Sequence, residues 1–442
     1  MTKLKKSLSF LEALSIVVGS MIGTGVFLKS ATMGQLTGST VLVFLAWIVA
    51  GVLSLAGAVT YSEMGRRHPN AGGEYVYLRE SYGPLPAFLY GWTRFWIAST
   101  GSVAAYGVGA ATLLSGAISI ERLGGTKMVA LFFIAFYTLA NCFAVSLGGK
   151  LQAAMTVVKV LMIVTLIVVL GVFSSGQTNL SISYPDLLKG QVSFSAFGMA
   201  VISALWAFDG WNNLPMAAGE VKDSERIVPL ALVTGTFLVL ILYLGINFVF
   251  FKNLSYQEVI TSNSSLYPNA PTLAAKAISN WIGARSSSIV SFLFVFSALG
   301  AMNGSILSGA RVPYAMAQDG LFLSLFGRVN PHTQVPAVAV ALQGLWAIVL
   351  ALTGTFDQLT DYVVFTSWIF YSAVAFAVFR LKQKRMFIAL VFSILGVVLV
   401  INSFLFSPKS SFIGLIFVVL GVPVYRVFVN LKKLNIEMTM KS

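Results

Sequence analysis

Two short stretches of the chain hold the residue types that could recognise a charged ligand. The first is Gly19–Gly25, with the sequence GSMIGTG, and each of its three glycines weakens a helix by roughly 1 kcal/mol. An unwound stretch here would present main-chain N–H groups to a carboxylate. A helix that restarts near Val26 would point its positive end at the same place. The alternative is close packing of helices through small residues, because G-x-x-x-G is a common contact motif.

The second stretch is Ala204–Asn213, with the sequence ALWAFDGWNN. Asp209 is costly inside an apolar run unless it lines a cavity or is paired. An unwound break here would offer main-chain carbonyls to an ammonium group, whereas a purely structural polar cluster is the alternative. If one break supplies amides and the other supplies carbonyls, a zwitterion such as an α-amino acid fits both.

These stretches lie in a chain whose composition is that of a membrane protein. Apolar residues make up 57% of the 442 residues and charged residues 10%, against about 25% charged in soluble domains. A membrane span needs about 20 apolar residues, and we predict twelve spans. Their predicted bounds are Leu11–Leu36, Ser39–Met64, Pro84–Ser115, Lys127–Val145, Leu151–Phe173, Phe194–Ala217, Val228–Phe250, Ser286–Met316, Val335–Leu352, Leu359–Phe379, Phe387–Phe406 and Phe412–Tyr425.

The layout of the spans predicts two halves of opposite topology. Residues 11–173 and 194–379 hold five spans each, and the first span of each half contains one of the two polar stretches. In each half an amphipathic segment, Gly73–Tyr82 or Thr272–Trp281, separates the second and third spans. This is the inverted-repeat plan of many secondary transporters. We therefore predict one all-α membrane domain with broken first and sixth helices, a 5+5 inverted repeat, and two C-terminal helices in residues 387–425.

Basic residues predict the orientation of these spans. The formal net charge is +14, but Lys and Arg lie between the apolar runs and do not form the basic, aromatic-rich groove that nucleic acid would require. They are more numerous on the side of the N-terminus, which includes Lys3, Lys5, Lys6, Lys382 and Lys384. Fewer fall at the opposite ends of the spans, where we place Lys29, Lys252 and Lys276. Both termini are therefore predicted to be cytoplasmic.

The reactive side chains argue against enzyme chemistry. The single cysteine, Cys142, lies in an apolar run, and the two histidines, His68 and His332, lie in loops. We therefore expect no intramolecular disulfide, no metal centre, no cofactor and no catalytic pair within the spans. The first apolar run continues as a full span, so we expect no cleavable signal peptide.

Lys159 is the most unusual charge, about nine residues inside the fifth span and so roughly 13 Å deep. It either extends to the cytoplasmic surface or forms a fixed cation held by carbonyls of the broken first helix or by the eighth span. Arg94, early in the third span, is expected to extend to the surface. Glu74, Arg79 and Glu80 are expected to form a solvated cytoplasmic hairpin, with an inner gate as the alternative.

Several motifs together resemble the amino acid–polyamine–organocation superfamily. Gly19–Gly25 resembles its first-helix signature, and FDGWN at 208–212 with Gly219-Glu220-Val221 resembles its sixth-helix signature. GGEYVY at 72–77 resembles its second hairpin, and Asn303-Gly304-Ser305 with Arg311 resembles its eighth helix. The motifs extend over most of the chain and most resemble the L-amino acid transporter family and its bacterial relatives, which are sodium-independent exchangers.

The resemblance implies a role for each matching residue. Thr24 and Gly25 would donate amides to the substrate carboxylate, while Met21, Trp206 and Asp209 would offer carbonyls to its ammonium group. Trp206 would also be the aromatic gate over the substrate; the alternative is an ordinary packed or interfacial aromatic. The complete predicted substrate-binding set is Met21, Ile22, Gly23, Thr24, Gly25, Trp206, Asp209, Gly210, Asn212 and Tyr243.

Two of the implied roles are supporting ones. Tyr243 and Asn247 would support the site or make ordinary inter-helix hydrogen bonds. Lys159 would stand near the place where sodium-driven relatives hold their ion, and its ammonium would disfavour a second cation there.

The resemblance predicts a sodium-independent L-amino acid exchanger in a bacterial cell membrane, with small neutral substrates. A proton-coupled symporter of amino acids or polyamines is the first alternative, because a buried lysine could carry a proton. A receptor that binds amino acids without moving them is the second. Animal members of the family join a heavy subunit through a cysteine between the third and fourth spans. That loop, Gly116–Thr126, has no cysteine here, so no such disulfide-linked partner is expected.

Overall fold

The computed structural model describes residues 6, 8–68, 72–143, 148–173, 193–330, 335–382 and 384–441. Within these ranges the chain is built from nineteen α-helices. The first ten are α1 (Phe10–Met21), α2 (Gly25–Thr37), α3 (Thr40–Arg67), α4 (Glu74–Tyr82), α5 (Pro84–Thr93), α6 (Thr100–Ser115), α7 (Gly125–Phe143), α8 (Gly148–Phe173), α9 (Phe194–Phe208) and α10 (Asn213–Met216). The others are α11 (Ser224–Asn253), α12 (Tyr256–Ile260), α13 (Leu273–Ile282), α14 (Ala284–Gly309), α15 (Arg311–Gln318), α16 (Ala337–Thr353), α17 (Phe356–Arg380), α18 (Met386–Phe406) and α19 (Pro408–Lys441).

Ten helical stretches in the described ranges are long and apolar enough to cross a membrane. They are Phe10–Thr37, Thr40–Arg67, Pro84–Ser115, Gly125–Phe143, Gln152–Val172, Ser224–Asn253, Ser291–Gln318, Phe356–Arg380, Met386–Phe406 and Pro408–Lys432. Two shorter apolar helices, α9 with 15 residues and α16 with 17, stand where the sixth and ninth spans are predicted. The all-helical prediction is therefore confirmed, and ten of the predicted spans have a helix of membrane-crossing length.

Some sequence predictions fall on positions outside the described residues. These are Lys3 and Lys5 of the basic N-terminus, Val145 at the predicted end of the fourth span, and His332.

Local sequence signals set several helix ends. The backbone N–H of Ser9 donates to the Glu12 carboxylate at 2.7 Å, which is half of a capping box and starts α1 at Phe10. Gly38 ends α2 in the left-handed conformation, with φ of 66°. The predicted amphipathic segments are the short helices α4 and α13, and Thr272 caps α13 by accepting a hydrogen bond from the Ala275 amide.

The contacts of α1 and α2 place the gap between them at the centre of the bundle. Helix α1 packs against α8, α11 and α14, whereas α2 packs against α9. Helix α2 begins just after the first interruption, and α9 ends at Phe208, just before the second. Because α2 packs on α9, the two interruptions lie side by side.

The hairpin that contains α4 folds against the short helix α10. The Gly72 amide donates to the Met216 carbonyl at 3.1 Å. At Gly73, where φ is 50°, an added Cβ would lie 3.1 Å from the Met216 amide nitrogen, so this close approach favours glycine. The contact places Glu74, the first residue of α4, directly beside the second interruption.

Candidate functional site

The first interruption separates α1 from α2 and lies inside the predicted stretch. Helix α1 ends at Met21, Ile22 has an extended conformation with ψ of 91°, and α2 restarts at Gly25. The first N–H groups of a helix have no partner within it. The amides at the start of α2, which include that of Gly25, are therefore oriented to receive an anion.

The second interruption meets the first at Gly210. Helix α9 ends at Phe208, and α10 begins at Asn213. Gly210 has φ of 108°, and an added Cβ would lie 2.8 Å from Ser20 Cβ and 3.1 Å from the Ser20 carbonyl carbon. A side chain at this position would push the two interruptions apart. The structure therefore brings the two predicted stretches together.

Tyr243 of α11 joins the two interrupted helices. Its hydroxyl oxygen lies 2.7 Å from the Met21 carbonyl oxygen and 2.9 Å from the Ala207 carbonyl oxygen. A tyrosine has one hydroxyl proton, so the two carbonyls share a single donor. The Met21 carbonyl, which was predicted to face a substrate ammonium group, is thus bonded to a side chain in this conformation. Asn247, one turn along, donates to the Tyr243 carbonyl at 2.8 Å.

Lys159 lies behind the first interruption and is 1% exposed. Its ammonium donates to the carbonyl oxygens of Gly19 at 2.8 Å and Ile22 at 3.0 Å. The Ile22 carbonyl also accepts a bond from the Ser297 hydroxyl of α14, at 3.2 Å. Of the two alternatives for this lysine, the structure has the buried cation held by carbonyls of the first broken helix. Extension to the surface is excluded.

Trp206, in the last turn of α9, is 1% exposed and stands among aromatic side chains. Its ring centroid is 5.1 Å from that of Tyr106 on α6 and 6.3 Å from that of Phe356 at the start of α17. Tyr106 also donates to the Ser20 carbonyl at 3.2 Å. These three rings form an aromatic group beside the first interruption.

The aromatic group fills the space next to the glycines. An added Cβ at Gly23 would lie 2.6 Å from Tyr106 Cε1, and one at Gly25 would lie 2.6 Å from both Ala207 Cα and Ala207 Cβ. The Tyr106 ring therefore occupies the space beside Gly23 in this conformation. Gly25 also has the packing role that was the alternative for this stretch, because only glycine lets α2 approach the α9 backbone so closely.

Asp209 and Asn212 belong to a buried polar network, which was the alternative for this stretch, and their partners lie on distant segments. The Tyr371 hydroxyl of α17 donates to the Asp209 carboxylate at 3.0 Å. The Asn212 amide donates to the Glu74 carboxylate at 2.5 Å, and Arg94 donates to the Asn213 side-chain oxygen at 2.9 Å. Asn212 is one of the predicted substrate-binding residues, and its side chain faces the α4 hairpin in this structure.

The same network corrects two predictions. Arg94 was expected to reach the surface, yet it is buried, because α10 presents a polar partner to it inside the bundle. Glu74 was expected to be solvated, yet it is fully buried, because the hairpin packs beneath α10. Burial raises the pKa of the Glu74 carboxyl above its ordinary value, although the nearby Arg94 charge and the Asn212 hydrogen bond act in the opposite direction.

Lys29 also differs from its prediction as an outer charge at a span end. It lies in α2 and is 1% exposed, with its ammonium 2.6 Å from the Asp357 carboxylate and 2.6 Å from the Thr360 hydroxyl. The Ser265 hydroxyl donates to the other Asp357 oxygen at 2.7 Å. The lysine is buried because α17 supplies an acidic partner. This ion pair fastens α2 to α17 and to the loop between α12 and α13.

The arrangement of the described residues places groups of opposite polarity side by side. It combines the positive end of α2, main-chain carbonyls at the ends of α1 and α9, and an aromatic cover. Tyr106 was missed in the sequence, although a tyrosine hydroxyl in the middle of a predicted span needs a polar partner and could have indicated it. Cys142 is buried, with its sulfur 3.6 Å from the Ala337 carbonyl oxygen.

Comparison with known proteins gives a consistent result over nearly the whole chain. A family model described as amino acid permease matches residues 8–436. The serine/threonine exchanger SteT of Bacillus subtilis (strain 168) is 31% identical over 383 residues, which cover 86% of this chain and 84% of SteT.

Animal proteins are similar to a lesser degree. The human b(0,+)-type amino acid transporter 1 is 29% identical over 391 residues, which cover 87% of this chain and 78% of the relative. The human cystine/glutamate transporter is 28% identical over 446 residues, which cover 97% of this chain and 86% of the relative.

Proposed function

Because the chain belongs to the amino acid permease family, we propose that it exchanges L-amino acids across a membrane by alternating access. The chain is a multi-pass membrane transporter and not an enzyme. The observation that best supports exchange is the contact between the two interrupted helices, where Gly210 packs on Ser20 and Tyr243 bridges Met21 and Ala207. A site built from two helix ends can open to either side as the helices move.

The proposed substrate lies between the interruptions with its carboxylate at the amides of Thr24 and Gly25. Its ammonium group faces the carbonyls of Met21, Trp206 and Asp209, after Tyr243 releases the Met21 carbonyl. Trp206 and Tyr106 cover it, which supports a gate role for Trp206. We propose small neutral amino acids as substrates, in keeping with the similarity to a serine/threonine exchanger.

The proposed topology retains twelve spans in a 5+5 inverted repeat followed by two helices. Helix α9 alone would extend only about 22 Å at 1.5 Å per residue, short of a bilayer core of about 30 Å. The polar break and α10 would complete that span, just as α2 completes the span begun by α1. We place both termini in the cytoplasm of a bacterial cell, from the distribution of Lys and Arg.

The proposed exchange is independent of sodium, and Lys159 supports this. Its ammonium already bonds the Gly19 carbonyl in the last turn of α1 and the Ile22 carbonyl in the interruption, and so occupies the place where a metal cation would have to bind. Two unit charges about 4 Å apart repel by about 4 kcal/mol even at an effective dielectric constant of 20. A sodium ion beside Lys159 would therefore be strongly disfavoured.

The test is uptake of radiolabelled serine or alanine into proteoliposomes. We expect uptake only when the vesicles are preloaded with amino acid, and no effect of replacing sodium with choline. Uptake into empty vesicles that responds to a proton gradient would identify a symporter instead. Binding of amino acid without any uptake would identify a receptor.

A further inference from the structure

A cavity of about 80 Å³ lies next to the last turn of α1, outside the proposed site between the interruptions. Its polar lining consists of Ser20, Gln152, Asn213, Glu220, Ser308 and Arg311. It is large enough for several water molecules or a small polar ligand. Leu8 also lines it, so the cavity is on the side of the bundle that holds the start of α1.

Two buried side chains turn polar atoms into this cavity without a protein partner. Gln152 is 3% exposed and Ser20 is 1% exposed. Neither atom of the Gln152 amide, nor the Ser20 hydroxyl, has a hydrogen-bond partner among the described residues. The atoms converge, since a Cβ added at Gly304 would lie 3.1 Å from Ser20 Oγ and 3.6 Å from Gln152 Nε2. Together they offer donors and acceptors to one small group.

An ion pair forms another part of the cavity wall. Arg311 Nε lies 2.6 Å from Glu220 Oε1, and both side chains are partly exposed. The backbone around Glu220 is fixed by Leu8, whose amide donates to the Glu220 carbonyl and whose carbonyl accepts from the Lys222 amide, each at 2.9 Å. The wall therefore presents one positive and one negative group side by side.

This combination is complementary to a zwitterion with a hydroxyl-bearing side chain. The substrate carboxylate can replace Glu220 at Arg311, and its ammonium group can replace Arg311 at Glu220, so no charge is left unpaired. The neutral amide and hydroxyl of Gln152 and Ser20 then face the substrate side chain. A serine-like hydroxyl can both donate to and accept from them, whereas a methyl group can do neither.

We propose that this cavity is a second amino acid site, with Gln152 and Ser20 selecting a hydroxyl-bearing side chain. It serves one face of the membrane only, the face on which Leu8 lies. Ser20 connects it to the interruptions, because Gly210 packs against this residue and Tyr106 donates to its carbonyl. A substrate leaving the interruptions towards that face passes through the cavity. The inference rests on the proposed function, since it adds a second binding site to the path of the same substrate.

The test measures apparent KM on each face of the membrane separately. Full-length protein is reconstituted in one orientation, and exchange is measured with serine or alanine varied on one face while the opposite face is saturated. Gln152→Leu keeps the approximate size of the side chain but removes its hydrogen bonds. We expect it to raise the KM for serine on one face by roughly three- to tenfold, the change expected for one hydrogen bond. The KM for alanine, and the KM for serine on the other face, should stay within about twofold.

A matched control and a second variant make the result decisive. Gln343→Leu removes a different buried amide, which lies on α16 outside the cavity and bonds the Ser305 carbonyl, and it should shift neither face. Ser20→Ala removes only a hydroxyl and should reproduce the one-sided, serine-specific shift if Gln152→Leu does not fold. No shift, an equal shift on both faces, or an equal shift for serine and alanine would overturn the proposal. If the wild-type protein exchanges neither amino acid, the proposed function fails before any variant is compared.

Discussion

Lys159 donates a hydrogen bond of 2.8 Å to the carbonyl oxygen of Gly19. Its second bond, of 3.0 Å to the Ile22 carbonyl, means that one buried charge ties α8 to both the last turn of α1 and the interruption that follows it. Any movement of α1 away from α8 must break these bonds. The lysine therefore lies behind the proposed substrate position and connects it to the helices that would move.

Lys159→Ala is expected to slow exchange by about tenfold or more. The substitution leaves the buried Gly19 carbonyl without its donor, at about 1–3 kcal/mol for a buried polar group so exposed, and leaves the Ile22 carbonyl with the Ser297 hydroxyl alone. Substrate affinity should fall less than turnover, because the lysine does not face the proposed site. The measurement compares the maximal exchange rate with the substrate dissociation constant of the purified variant.

Lys252→Ala is the matched control for this substitution. Lys252 also donates to a main-chain carbonyl, that of Gly171 at 2.6 Å, but lies near the far ends of α8 and α11. It should retain near-normal exchange. Equal rates for Lys159→Ala and the wild-type protein would show that the buried ammonium has no part in transport.

Trp206→Ala is expected to raise the apparent KM or lower the exchange rate, because the aromatic cover of the site is lost. Trp206→Phe should be milder, since a ring remains against Tyr106 and the indole N–H has no partner to lose among the described residues. Trp92→Ala removes an equally large side chain at the contact with α19, away from the site, and is the control. A Trp206→Ala variant with wild-type rate and KM would refute the gate.

The helices and their interruptions could be predicted because the bilayer limits what the chain can do. Each span needs a long apolar run, so hydropathy alone located the helices, and clustered glycines or an intramembrane Asp209 indicated where a helix would break. The end of α1 at Met21 and the end of α9 at Phe208 both fall inside the predicted stretches.

The buried charges could not be located in the same way. A basic or acidic residue at a span end has the same sequence context whether it faces water or a partner on another helix. Lys29 and Asp357 are more than three hundred residues apart, and Glu74 meets Asn212 only because the α4 hairpin folds under α10. Such contacts depend on packing between distant segments, which a single sequence does not record.

Gly25→Val is expected to abolish exchange, because its Cβ would lie 2.6 Å from the Ala207 backbone and α2 would have to move away from α9. Gly23→Ala should reduce exchange only partly, since the nearest atom belongs to the Tyr106 ring, which can turn. Gly171→Ala is the control, as its Cβ would meet Val249 at an ordinary distance of 3.6 Å. Normal exchange by a well-folded Gly25→Val variant would contradict the close approach of these helices at the site.

The burial of Glu74 predicts how stability depends on pH. Its pKa is raised in the folded protein, so the folded state binds this proton more tightly than the unfolded state does. The stabilisation is therefore greatest below the ordinary carboxyl pKa and is lost as the pH rises through the raised value. Glu74→Gln keeps an acceptor for Asn212 but cannot ionise, so its melting temperature relative to wild type should increase with pH.

The control for this effect is Glu80→Gln in the same hairpin. Glu80 is exposed and pairs with Arg79 at 3.3 Å. Its substitution should change the melting temperature little at any pH, because exposed ion pairs contribute only about 0–1 kcal/mol. If the melting temperature of Glu74→Gln relative to wild type were also constant between pH 4.5 and 8, ionisation of the buried Glu74 would not determine how stability depends on pH.

The Lys29–Asp357 ion pair should stabilise the packing of α2 against α17. Breaking a buried pair by removing one partner costs about 3–5 kcal/mol, because a charge is left uncompensated. Lys29→Met leaves the Asp357 carboxylate without its cation and should therefore lower the melting temperature markedly. Lys29→Met combined with Asp357→Asn should recover part of the loss, since the Asp357 charge is removed and the amide can still bond Ser265, while Asp361 is a further carboxyl near Lys29 that still lacks its cation. The control is Arg79→Met, which breaks the more exposed pair with Asp319 and should change the melting temperature little. If the double variant melted at a lower temperature than Lys29→Met alone, uncompensated charge would not be the cause of the destabilisation.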